Sequence, residues 1–155
     1  MAVITERKIN VTFLMADDDR DDRDLTLRAF QKARIRNDLR FVEDGVELLD
    51  YLRRRGLYAD PRDSPRPHLI LLDLNMPRKD GREALAEIKA DPELRRIPVV
   101  VLTTSEEEAD ILKSYDLGAN SFISKPVSFD SLMRLLQDLD HYWLEIVTTT
   151  APSSR

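Results

Sequence analysis

The chain has 155 residues, a net charge of −5, 42% apolar and 34% charged residues, and no cysteine. That is one domain's worth of chain with a real core, held by packing alone, because a disulfide framework or a thiolate metal site needs cysteine. The acidic balance argues against direct binding of nucleic acid, and no run reaches the roughly 18 apolar residues of a membrane span or forms a signal-peptide core, so no membrane partner and a cytoplasmic setting are expected.

After an N-terminal extension over residues 1–8, Ile9 to Ala16 is apolar and β-favouring and runs straight into Asp17-Asp18-Asp19-Arg20-Asp21-Asp22. This predicts a first strand that delivers acids at its end. Leu25, Leu27, Ala29, Phe30 and Ala33 follow at roughly helical spacing, and Asp19, Asp21, Asp22 and Asp24 fall in or beside the first turn, where carboxylates cap free amides and complement the helix dipole. Leu39 to Val42 predicts a second strand. The next helix carries Val46, Leu48, Leu49 and Leu52 and closes at Arg53-Arg54-Arg55-Gly56, cations in the last turn and glycine just beyond. Residues 57–67, with three prolines among charges, predict an exposed loop.

His68 to Gly81 is the centre of the sequence. Leu69-Ile70-Leu71-Leu72 is a continuous aliphatic run that stops at Asp73, followed by Met76-Pro77 and Asp80-Gly81. Such a run predicts a parallel strand buried on both faces, with Asp73 at the carboxyl end where open α/β sheets bind ligands. A helix with Ala84, Leu85 and Ile88 comes next, then a strand from Pro98 to Leu102 ending in Thr103-Thr104-Ser105. Glu106 to Glu108 open a fourth helix containing Ile111, Leu112, Tyr115 and Leu117. Asn120 to Ser124 predicts a short fifth strand that finishes at Lys125-Pro126. Phe129, Leu132, Leu136, Leu139 and Trp143 recur at steps of three and four, an amphipathic last helix before a Thr- and Ser-rich tail.

Five strands alternating with five helices imply an α/β fold: a parallel sheet covered on both faces and joined by right-handed crossovers. Every strand then offers its last residues to one edge: Asp17 and Asp18, Asp73, Thr103 and Lys125. Carboxylates that close together repel by about 4 kcal/mol per pair at a surface-like dielectric, so a positive group belongs among them. Oxygen ligands alone suit Mg²⁺, and a lysine and a hydroxyl nearby supply what phosphoryl oxygens require. The set fits phosphoryl transfer to Asp73 as nucleophile.

These four separated motifs resemble the receiver domains of two-component response regulators: the acidic pair after strand one, Leu72-Asp73-Leu74-Asn75-Met76-Pro77-x-x-Asp80-Gly81, Thr103 thirty positions after Asp73, and Lys125-Pro126 twenty-two further on. The resemblance implies the doubly wound, flavodoxin-like fold over residues 9–143, with 144–155 as a tail. It implies Asp73 as phosphoacceptor, and Asp17, Asp18, Asp73 and the Asn75 carbonyl as Mg²⁺ ligands. It also implies Thr103 and Phe122 as the switch pair and Lys125 as the phosphate-contacting cation before a cis proline. The partner implied is a sensor histidine kinase.

Further likenesses point to stand-alone regulators of phytochrome-type kinases: the proline-bearing loop before strand three, Pro98-Val99-Val100-Val101-Leu102-Thr103-Thr104-Ser105, and His141-Tyr142-Trp143. With these comes a homodimer through the face of helix four, strand five and helix five. The protein would be an acceptor with at most self-phosphorylation and self-dephosphorylation, not a turnover enzyme. Two alternatives share parts of the pattern. A haloacid-dehalogenase-type phosphohydrolase would place its nucleophile on the first strand and its acidic pair last, the reverse of the order here. A flavodoxin-like binding protein would meet its anionic cofactor with a row of carboxylates and without a glycine-rich loop.

Overall fold

The computed structural model describes residues 11–33, 37–104, 113–114 and 116–138. Five strands, β1 (Val11–Ala16), β2 (Asn37–Val42), β3 (Leu69–Asp73), β4 (Val99–Thr103) and β5 (Ser121–Ser124), form one sheet in the order β2-β1-β3-β4-β5. Every neighbouring pair is parallel. The helices are α1 (Arg20–Ala33), α2 (Gly45–Arg53), α3 (Gly81–Ala90) and α4 (Phe129–Asp138). Residues 113, 114 and 116 are helical too; the start of the expected fourth helix at Glu106, with Ile111, Leu112 and Tyr115, lies outside the described residues. So do Ile9, Ser105, Leu139 and the 141–143 aromatics.

The aliphatic runs are buried on both faces because alternate residues feed two separate cores. Leu14, Ala16, Ile70, Leu72, Val99 and Val101 pack with Leu48, Leu49 and Leu52 of α2 and Ala84, Leu85 and Ile88 of α3. Phe13, Met15, Leu69, Leu71, Val100 and Leu102 pack on the other face with Ala29 and Phe30 of α1 and Leu132 and Leu135 of α4. Each such large side chain contributes about 1.5–3 kcal/mol by leaving water, and together they fix the register that aligns the strand ends.

Two local expectations change. The helix ending in the arginine run reverses at Arg54, which takes the left-handed conformation (φ 55°), ahead of Gly56. Backbone amides close this turn on the Asp50 and Tyr51 carbonyls, and the Arg54 guanidinium reaches the Ser64 carbonyl at 3.3 Å. The loop beyond is folded as well as exposed: it holds two one-turn 3₁₀ helices, Gly56–Tyr58 and Pro61–Asp63. The Tyr51 and Tyr58 rings lie 5.1 Å apart beneath it, Tyr51 donates to the Pro65 carbonyl, and Ser64 is buried.

The β3–α3 turn that carries Asn75 is pinned by close backbone approaches. A Cβ on Gly81 would sit 2.3 Å from the Asp73 carbonyl oxygen, and one on Gly45 would sit 2.3 Å from that of Lys79. Gly45 donates its amide to that Lys79 oxygen at 2.9 Å, and Gly81 donates to Leu74. Asp80 closes a capping box with Glu83 at the start of α3. Arg78 reaches across to Asp44, the N-cap of α2, at 2.8 Å. The turn beside Asp73 is thereby tied to two helices.

Candidate functional site

Parallel strands with a common register put their carboxyl ends at one edge, and the acids arrive there as backbone geometry requires. Asp17 follows β1 and donates its amide to the Val42 carbonyl at 3.0 Å; Asp73 is the last residue of β3. Lys125 follows β5 and donates its amide to the Thr103 carbonyl at 2.7 Å. The Lys125-Pro126 bond is cis.

Oxygens of Asp17, Asp18 and Asp73 lie within 4.8 Å of one another. Asp17 and Asp73 are buried and Asp18 is exposed, so the cluster opens to solvent on one side. The donor set fits a hard divalent cation: three carboxylates, an open side, and one Asp17 oxygen, Oδ2, that is buried without a hydrogen bond. Burial pushes the Asp17 carboxyl up to about 6, with the neighbouring Asp73 charge acting in the same direction. Asp73 is raised too, again chiefly by burial, against the pull of Lys125 and of the Asn75 amide, which donates to its Oδ1 at 3.2 Å.

The Lys125 ammonium is 3.2 Å from Asp73 Oδ2 and 3.3 Å from Asp17 Oδ2. Burial opposes its charge, but Asp22, Asp73 and Asp17 override burial and hold it above the ordinary lysine range. Thr103 ends β4 and is fully buried, with its hydroxyl donating to the Thr104 carbonyl at 3.1 Å. Phe122 stands on edge strand β5 and is 41% exposed. The structure thus gathers Asp17, Asp18, Asp73 and Lys125 at one point, sets Thr103 at the end of the neighbouring strand, and leaves Phe122 outward on the edge.

The dense acidic run divides by role. Asp19 is a helix cap as expected, its Oδ1 accepting from the Asp21 and Asp22 amides at 2.8 and 3.3 Å. Asp21 and Asp24 are exposed. Asp22, expected to cap as well, instead turns inward and meets Lys125 Nζ at 2.8 Å, nearer than Asp17 or Asp73. The signal in the sequence was its position: three residues beyond the Asp19 cap and four before buried Thr26, it lies on the inner side of α1.

The profile of the response regulator receiver domain matches residues 13–137. The chain belongs to this family. Among its relatives, the response regulator Rcp1 of a Synechocystis species is 44% identical over 138 residues, covering 89% of this chain and 92% of that protein. The crystal structure of the phosphorylated cyanobacterial phytochrome response regulator RcpA superposes with a TM-score of 0.73 at 44% identity, over 87% of this chain and 94% of that one. The Mn²⁺-bound form of Rcp1 does so with a TM-score of 0.71 at 42% identity, over 87% and 95%. The receiver fold and a part in two-component signalling follow.

Proposed function

We propose that this receiver domain accepts a phosphoryl group on Asp73 from the phosphohistidine of a sensor kinase in a Mg²⁺-dependent reaction. The observation that carries the reading is the meeting of three strand ends: Lys125 Nζ 3.2 Å from Asp73 Oδ2, with oxygens of Asp17, Asp18 and Asp73 within 4.8 Å of one another. In the transfer, an Asp73 carboxylate oxygen forms the bond to phosphorus while the bond from phosphorus to the imidazole nitrogen breaks and the ring leaves with that electron pair. Lys125 supplies a point charge to a phosphoryl oxygen, and the Asn75 amide orients the carboxylate through Oδ1. Asp17, Asp18, Asp73 and the Asn75 carbonyl would hold the Mg²⁺; when bound, it adds positive charge opposite the phosphoryl oxygens and relieves the repulsion among the acids.

The acceptor works as a switch, not as a turnover enzyme. New charge on Asp73 draws the Thr103 hydroxyl from its Thr104 partner, and Phe122 moves into the space released. The surface altered is that of β5 and α4, together with the fourth helix expected before β5, and it serves as a self-association and partner face; exposed Phe122 on an edge strand supports this. Similarity to Rcp1 and RcpA favours a phytochrome-type kinase upstream. The unit is taken to span residues 9–143, and to act in the cytoplasm without direct contact with nucleic acid or membrane; no described helix is long and apolar enough to cross a bilayer.

The test is labelling with a small-molecule phosphodonor, with and without Mg²⁺, followed by intact mass. The native chain should gain one phosphoryl mass only with Mg²⁺, and Asp73→Asn should gain none. Equal labelling of the variant would overturn the reading.

A further inference from the structure

The Lys125 ammonium lies within ion-pair distance of three carboxylates that are not equivalent. Asp17 and Asp73 belong to the oxygen cluster that fits a cation; Asp22 does not. It approaches from α1, on a backbone fixed at both ends: its amide donates to Asp19 Oδ1 at 3.3 Å, and its carbonyl accepts from the buried Thr26 hydroxyl at 2.9 Å. Both members of the pair are largely shielded, Lys125 at 14% and Asp22 at 19% side-chain exposure, so solvent screens their attraction only in part. A cation would draw off Asp17, and a phosphoryl group would replace the Asp73 oxygen as acceptor. Neither event supplies Asp22 with another partner.

We infer that Asp22 is a positioning residue that holds Lys125 from the α1 side and competes with the phosphoryl group for its ammonium. The inference rests on the proposed role of Asp73. Its consequence is a site in which the lysine is shared: the phosphorylated state is less favoured than Lys125 alone would make it, and α1 gains a polar tie to the β5–α4 junction beside its apolar packing on α4. A partner that displaced Asp22 would strengthen the hold on phosphate without touching Asp73.

The experiment measures binding of beryllofluoride, a tetrahedral stand-in for the phosphoryl group, at saturating Mg²⁺ in the full chain. Three variants are compared with the native chain: Asp22→Asn, Asp22→Glu and Asp24→Asn. Losing a competing, partly exposed ion pair of about 1 kcal/mol should tighten binding by Asp22→Asn about fivefold. Asp22→Glu, which keeps the charge, should return affinity toward the native value. Asp24→Asn removes an exposed charge two positions further along α1, without a Lys125 contact, and should leave affinity unchanged. The Lys125 ammonium ¹⁵N resonance, recorded without ligand, should shift in Asp22→Asn and stay in Asp24→Asn, a readout that general loosening of α1 would not give. Unchanged or weaker binding by Asp22→Asn, beside normal binding by the native chain, would overturn the inference and leave the Asp73 reading standing. Equal tightening by Asp24→Asn would overturn it as well, by assigning the effect to net charge. Absence of binding by the native chain would remove both.

Discussion

Asp73 and Lys125 meet at 3.2 Å although fifty-two positions separate them in sequence, and each helps the other tolerate its shielded place. An ammonium among acids tolerates burial, and acids around an ammonium tolerate one another, so the site is stable only as a set. His68 shows the same interdependence where β1 and β3 begin. Its amide donates to the Thr12 carbonyl at 2.8 Å, and its Nδ1 accepts from the Thr12 amide at 3.0 Å, so the ring stands in for one rung of the ladder between the strands. That rung requires an unprotonated Nδ1, and burial pushes the imidazole below its ordinary range. Because the folded value is depressed, the unfolded chain takes up the proton first. The contribution is therefore fully present above about pH 6.5 and is lost as pH falls through the lowered folded value. Thermal melts of the native chain and His68→Asn between about pH 7.5 and about pH 5.5 should show the native chain losing its advantage on acidification; a pH-independent difference would contradict the role.

The elements owe their placement to short-range rules that are written in the sequence. The β3 run was legible because four aliphatic residues closing on an acid suit a strand buried on both faces, and Asp80-Gly81 was legible as a turn before a helical pattern, although the capping box that Asp80 forms there was not. The second task of Gly81 was not. As a turn residue it needs only conformational freedom, but the structure uses it for close approach, with the Asp73 carbonyl where a Cβ would stand. Gly81→Ala should therefore cost about 1–3 kcal/mol through overpacking and shift the turn that carries Asn75, read by chemical denaturation and by the amide resonance of Asn75. A loss of a few tenths only, with that resonance unmoved, would mean that the turn gives way freely. Arg54 marks the opposite limit. Position alone favoured Gly56 as the helix stop, but the chain takes the left-handed turn at Arg54, where backbone amides close on Asp50 and Tyr51 and the guanidinium reaches Ser64 across the folded loop. Asp22 escaped for the same reason: its partner is 103 positions away, and first-turn acids have a local use that hides a distant one.

Across the whole molecule, five parallel strands turn scattered residues into one locus. Alternation of aliphatic runs with amphipathic helices fixed the sheet, and the sheet brought the ends of β1, β3 and β5 together; the sequence therefore disclosed most of the site as soon as it disclosed the fold. What it withheld was the sharing of Lys125 and the outward stance of Phe122, both decided by side-chain contacts between elements distant in sequence. The account rests on Asp73 as the one carboxylate at this edge that takes the phosphoryl group, although Asp17, Asp18 and Asp22 lie close by. Reduction with borohydride converts an aspartyl phosphate to homoserine and so records its position in peptide mass spectra. After exposure to phosphodonor and Mg²⁺, homoserine at position 73 and no other is the result expected; homoserine at 17, 18 or 22, or the same yield at 73 without Mg²⁺, would contradict it.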